Sequence, residues 1–220
     1  MRWVMTEMTR TEEQIRQDIV LWSRSLFERG FTVGSSGNIS VRLDDGFLST
    51  PTNSCLGFLE PERLSRLNAE GQHIGGDAPT KELPLHMAFY EARPTARAVV
   101  HLHSTYATAL SCLADIDPDN AIAPVTPYVV IRVGRVPVLK YTRPGSADVV
   151  FLIRERASRC SAVLLGNHGP VVAGTSLEGA VFAAEELEET AKLILVTRGM
   201  AVRQLEATAV ADLENTFHLR

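Results

Sequence analysis

Cysteine is scarce in this chain: three of 220 residues, Cys55, Cys112 and Cys160. The count is odd and no two stand in a CxxC spacing, which argues against a disulfide framework and for a reducing, cytoplasmic compartment. Long apolar runs are missing too. Nothing approaches the roughly 18 apolar residues that a bilayer crossing needs, and the opening stretch, Met1 to Gln14, lacks the apolar core of a signal peptide. Positive charge is in short supply, with 22 Lys and Arg against 26 Asp and Glu and a net charge of −4. No basic stripe is interleaved with aromatic residues, so neither nucleic acid nor a membrane is expected as a partner, although a local basic pocket remains compatible. What is present is ordinary for a soluble globular protein, 45% hydrophobic and 22% charged. A chain of this length suits one well-cored domain over residues 1–220 and is short for two.

The most informative stretch is Pro79 to Ser104. Ala98, Val99 and Val100 read as the end of a buried strand that runs into His101, Leu102 and His103. Alternate side chains of a strand share a face, so both imidazoles point one way while Leu102 turns back. From Pro84 to Ala92 the apolar positions Leu85, Met87, Ala88, Phe89 and Ala92 fit a helix begun by a proline and stopped near Arg93-Pro94. That sets Glu82 at or just before the helix, close to the strand end that carries the histidines. A catalytic zinc usually takes three protein ligands and keeps an open position. A third candidate, His168, follows a second apolar run, Ala162 to Leu165, in the turn Gly166-Asn167-His168-Gly169. The other histidines carry no such signal. His86 is assigned to the polar side of the helix after Glu82, His73 to a Gly-rich turn and His218 to the tail.

Elsewhere the chain reads as alternating strands and helices, an α/β pattern in which several short strands lack crossover helices and can pair antiparallel. Thr11 to Gly30 has the spacing of an amphipathic core helix. Gly34 to Arg42 is a small-residue turn entering a strand, either an anion cradle or a plain loop. Phe47 to Ser49 is a short strand that exits into Thr50-Pro51-Thr52-Asn53, with a helix start at Glu60-Pro61-Glu62 and a polar hairpin from Asn68 to Gly76. Ser104 to Leu113 fits a helix, Tyr128 a core or strand aromatic before Val129 to Val133, and Val136 to Tyr141 a strand. A helix begins near Ala147, and another runs from Ser176 to Arg198. In the latter, Glu185, Glu186, Glu188 and Glu189 read as a solvated or interfacial face. Residues 200–220 are mixed in character, suited to a lid over the site or to docking on a neighbour.

Five motifs in this order, GNIS (Gly37 to Ser40), TPTN (Thr50 to Asn53), PTKE (Pro79 to Glu82), HLH (His101 to His103) and NHG (Asn167 to Gly169), resemble the class II aldolase family typified by L-fuculose-phosphate aldolase. The resemblance runs from about Gln14 to Arg198. It implies a three-layer α/β/α fold with a central, largely antiparallel or mixed sheet, one Zn2+ per subunit on His101, His103 and His168, and a homotetramer with active sites between subunits. Within the family, KELPLH is more similar to the 3-oxo-tetronate 4-phosphate decarboxylase branch. By the same resemblance Asn38, Thr52 and Thr80 bind the substrate phosphate. Asn53 stands where the aldolases usually carry glycine, and Lys81 where they carry a second phosphate-holding serine. Glu82 becomes the acid–base group, with the Lys81 cation beside it, and Tyr128 a proton donor reaching into a neighbouring subunit's site.

The activity implied is metal-assisted carbon–carbon cleavage through a stabilised enediolate: decarboxylation of a 3-oxo-tetronate 4-phosphate to dihydroxyacetone phosphate. A sugar-phosphate aldolase or a pentulose-phosphate epimerase is the alternative. A noncatalytic, adducin-like interaction domain stands outside the enzymes, and retention of Glu82 and all three histidines weighs against it.

Overall fold

The computed structural model describes residues 10–217; His218 and most of the opening stretch read above for a signal peptide lie outside them. Among the described residues, eight strands form one sheet: β1 (Asn38–Arg42), β2 (Gly46–Ser49), β3 (Ser65–Asn68), β4 (His73–Gly75), β5 (Ala98–His101), β6 (Val138–Leu139), β7 (Ala162–Leu165) and β8 (Gly169–Gly174). Their order is β4-β3-β2-β1-β5-β8-β7-β6. Every neighbouring pair is antiparallel except β6 with β7.

Seven α-helices cover the two faces: α1 (Glu12–Glu28), α2 (Leu83–Ala92), α3 (Thr105–Ser111), α4 (Pro127–Arg132), α5 (Asp148–Ala157), α6 (Leu177–Val196) and α7 (Ala207–Thr216). The period-two alternation of the strands divides the core. Ala98, Val100, Ala162 and Leu164 pack with Ile19 and Leu26 of α1, Leu110 of α3 and Leu187 of α6. Val99, Val163 and Leu165 pack with Phe89 of α2 and Ile153 of α5. Each of the Val, Leu, Ile and Phe side chains among these, once buried, stabilises the fold by about 1.5–3 kcal/mol relative to exposure. The result is the expected three-layer α/β/α arrangement with a mixed, mostly antiparallel sheet.

Several local expectations are corrected. Glu60-Pro61-Glu62 opens only a single 3-10 turn, Pro61–Arg63, because β3 starts two residues later. His73 lies on the exposed edge strand β4 rather than in a turn. Tyr128 is neither core nor strand: Thr126 accepts from the Val129 amide, Pro127 takes the first helical position, and Tyr128 stands 59% exposed on α4. Apart from these corrections, the C-terminal residues contain α7, which packs against α4 of its own chain, with Leu205, Val210 and Leu213 lying on the core.

Glu188 also departs from its reading as part of a charged face. It is buried, and its two carboxylate oxygens accept from the backbone N–H groups of Tyr106 at 2.8 Å and Ala107 at 2.7 Å. Ser104, the residue before α3, makes no side-chain cap. A carboxylate from α6 therefore satisfies the open amides of the helix that follows the HLH segment. The neighbouring glutamates behave as read: Glu185 pairs with Arg29, and Glu189 lies 4.0 Å from Lys192.

Candidate metal centre

The alternation of β5 carries past its last paired residue. Val99 faces α2, Val100 faces away, His101 faces α2 again, Leu102 is buried in the opposite core cluster, and His103 returns to the side of His101. His168 arrives from the β7–β8 hairpin, where Asn167 takes φ 55° and the His168 amide donates to the Leu165 carbonyl. Gly169 lets the hairpin close on β5, since a Cβ there would stand 2.4 Å from the Leu102 carbonyl oxygen. Two strand exits thus deliver three imidazoles to one point.

The His103 Nε2 lies 3.2 Å from the His101 Nε2 and 3.1 Å from the His168 Nε2. Glu82, at the N-terminal boundary of α2, puts one carboxylate oxygen 3.3 Å from the His101 Nε2 and the other 3.4 Å from the His168 Nε2. All four ligand atoms fall within 4.8 Å of one another. Nitrogens bound tetrahedrally at about 2.0–2.1 Å from zinc are separated by about 3.3–3.4 Å, close to the spacing found. His101 Nδ1 donates to the Pro170 carbonyl at 2.9 Å, which fixes its tautomer and leaves the Nε2 lone pair for a ligand. Glu82 Oε1 is buried with no hydrogen-bond partner among the described residues. Converging lone pairs and an orphaned carboxylate oxygen fit a divalent cation.

The electrostatics agree. Burial, together with the nearby His101 and His168, pushes His103 down to about 4. Burial and His101 also lower His168. These rings stay neutral at pH 7, the state that binds metal. For Glu82, burial pushes upward, but the contact with His101, the Asn38 amide and the charge of His168 outweigh it and hold the carboxyl well below its usual range. Lys81 is exposed and forms no ion pair with Glu82 among the described residues. The cation expected beside Glu82 is therefore not Lys81 in this geometry.

Asn38, Thr52, Asn53 and Thr80 lie on segments that meet near Glu82. Asn38 Nδ2 donates to Glu82 Oε2 at 2.9 Å, and Thr80 Oγ1 accepts from the Glu82 amide at 3.2 Å. The Thr52 amide donates to Ala78 at 2.9 Å, and Pro51 bridges to Pro79, tying TPTN to PTKE. Asn53 is exposed at φ 55°, which suits asparagine. Tyr128 is not a member of the Glu82, His101, His103 and His168 cluster found among the described residues.

Sequence reasoning missed His86. Assigned to a polar helix face, it is fully buried, its Nε2 2.5 Å from Asn38 Oδ1 and its Nδ1 2.8 Å from Ser40 Oγ. The signal was there to read. Glu82, His86 and Tyr90 recur every four residues, about 6 Å along a helix, and Asn38, Ser40 and Arg42 every two, about 6.6 Å along a strand. The two polar rows match in pitch, and they meet.

An α/β/α fold in which three histidines at strand exits meet a glutamate at a helix start defines a class of scaffold able to hold a metal ion. The chain belongs to the Class II Aldolase and Adducin N-terminal domain family, whose model matches residues 17–195. It is 51% identical over 212 residues to the 3-oxo-tetronate 4-phosphate decarboxylase of Haemophilus influenzae, covering 96% of this chain and 99% of that one. It is 36% identical over 170 residues to the L-fuculose phosphate aldolase of Methanococcus maripaludis, covering 76% and 89%. The crystal structure of YgbL from Klebsiella pneumoniae superposes with a TM-score of 0.91 at 49% identity, over 93% of this chain and 100% of that one.

Proposed function

We propose that this protein is a zinc-dependent carbon–carbon lyase that decarboxylates 3-oxo-tetronate 4-phosphate to dihydroxyacetone phosphate and carbon dioxide. The observation that carries the reading is the near-full-length match to a decarboxylase of that name, 51% identical, against 36% over a shorter span for the aldolase. Retention of Glu82, His101, His103 and His168 in one cluster supports an active enzyme over a retired interaction domain.

In this reading His101, His103 and His168 hold the metal, which when bound supplies Lewis-acid polarisation to the ketone. Asn38, Thr52, Asn53 and Thr80 anchor the phosphate, and Lys81 attracts the substrate's carboxylate or phosphate. Loss of carbon dioxide breaks the bond between C1 and C2 and leaves the electron pair on C2, conjugated with the C3 carbonyl. C2 then takes one proton, for which Glu82 is the acid–base relay to solvent. Four copies of the single-domain chain assemble in the cytoplasm, and each Tyr128 serves a neighbouring site as a proton donor. Its exposure on α4 supports a role outside its own chain.

The test is direct. Incubation of purified, zinc-loaded protein with 3-oxo-tetronate 4-phosphate releases carbon dioxide and dihydroxyacetone phosphate in equal amounts. No release, together with cleavage of L-fuculose 1-phosphate, reverses the assignment in favour of an aldolase.

A further inference from the structure

We infer that His86, which lies outside the cluster of potential metal ligands, is a positioning residue for Glu82, acting through the side-chain amide of Asn38. The inference deepens the lyase reading and rests on it for the activity measurements alone.

The direction of each hydrogen bond fixes that of the next. The Asn38 group 2.9 Å from the Glu82 carboxylate oxygen is the Nδ2 amine, which donates to it. The Asn38 oxygen is thereby turned to His86, whose Nε2 lies 2.5 Å away and must carry the proton. The ring is buried and neutral, pushed down to about 3 chiefly by burial, so a proton on Nε2 leaves Nδ1 bare. Nδ1 then accepts from the Ser40 hydroxyl at 2.8 Å, and Ser40 Oγ accepts in turn from the Tyr90 hydroxyl at 2.8 Å. Burial raises the Tyr90 phenol, which keeps it protonated and donating. Polarity runs one way, from Tyr90 through Ser40, His86 and Asn38 to Glu82.

The opposite arrangement fails at the Asn38 end. With the proton on Nδ1, Nε2 would present a lone pair to the Asn38 oxygen. The amide would have to flip, setting its oxygen against the Glu82 carboxylate in a buried site. One His86 tautomer therefore decides which end of Asn38 faces the reaction centre. It keeps both N–H groups of that amide on the site side: one holds Glu82 Oε2, and the second stays available to an anionic substrate. Oε1 is left without a protein donor, facing the histidines. Ser40 and Asn38 are held by the pairing of β1 with β5, Asn38 lying opposite His101, so the relay and the imidazoles share one rigid frame.

Glutamine and asparagine separate positioning from filling. A glutamine amide reaches the place of Nε2 and retains a donor for Asn38, whereas an asparagine amide reaches only the place of Nδ1. We expect His86→Gln to keep kcat within about threefold, and His86→Asn to lose about 10- to 100-fold in kcat at unchanged metal content, the range found for groups that orient a ligand. Equal losses in both variants, at equal zinc content, would overturn positioning in favour of space filling. Ser40→Ala removes the donor that holds Nδ1 bare without opening the core to a larger change. It is expected to lower kcat and to admit the second tautomer, and a wild-type kcat with a single tautomer would count against the relay. A readout independent of turnover is the imidazole 15N spectrum of metal-free protein. His86 should show a protonated Nε2 and a bare Nδ1 from pH 8 to pH 5.5, and a protonated Nδ1 overturns the inference even if decarboxylation is confirmed. If wild-type protein releases no carbon dioxide, the lyase reading fails, and the 15N spectrum still decides the question of His86.

Discussion

Histidine at this site plays two parts that differ only in what surrounds the ring. His101, His103 and His168 turn nitrogen lone pairs to one point, whereas His86 has both nitrogens committed to protein partners. His103→Ala should release the metal and abolish activity while the chain stays folded. Elemental analysis checks this, and full zinc retention would count against the ligand assignment. Glu82→Gln should keep zinc and lower kcat by about 10²–10⁴, the usual share of a general acid–base group; a near-wild-type rate would remove Glu82 from the chemistry. The depressed histidines also predict a pH dependence for the metal-free protein. Below about pH 6.5 the unfolded chain takes up protons that folded His86 refuses, so stability falls as pH falls, by about 1.4 kcal/mol per pH unit. The loss continues down to the folded value of about 3 for His86, and His103 adds the same sign down to about 4. Glu82, held low, adds its own loss only below about pH 4.5. Urea unfolding between pH 6.5 and 5 should show this slope in wild type and a shallower one in His86→Gln.

Among the elements, the helix α3 depends on a partner far away in sequence. Its first amides are satisfied by Glu188 of α6, which also fixes the turn after His103. Glu188→Ala should cost about 1–3 kcal/mol, the penalty for stripping buried donors of a charged acceptor. Zinc affinity should weaken along with the midpoint of urea unfolding; a stability within error of wild type would mean that water replaces the carboxylate. Legibility followed the same division. Ala162–Leu165 and the NHG turn could be read because a short apolar run and its exit are local features, and α2 because its proline start is local too. Glu188 was misread as surface because it sits in the run Glu185-Glu186-Leu187-Glu188-Glu189, and its partners lie 81 and 82 residues upstream. His86 was missed because strand β1 and helix α2 each look half-polar alone, a pattern that ordinarily faces water.

For the whole molecule, the question is what Tyr128 serves. It stands exposed on α4 and outside its own chain's cluster, so a shared active site predicts complementation between subunits. Tyr128→Phe and Glu82→Gln proteins, each nearly inactive as a homotetramer by light scattering, should regain about a quarter or less of wild-type activity when unfolded and refolded together. No recovery in confirmed mixed tetramers would confine each site to one chain. The sequence by itself determined the α/β alternation, the three histidines at strand exits and the glutamate before α2, because periodicity, strand ends and helix starts are written in consecutive residues; the three-layer arrangement came only with the family resemblance. Only the tertiary structure decided that Glu82 stays ionised in a buried site, that Glu188 caps α3, and that His86 belongs to the site. Each of those depends on a polar group finding a partner across the core, and burial makes the pairing obligatory while the local sequence leaves the partner unspecified.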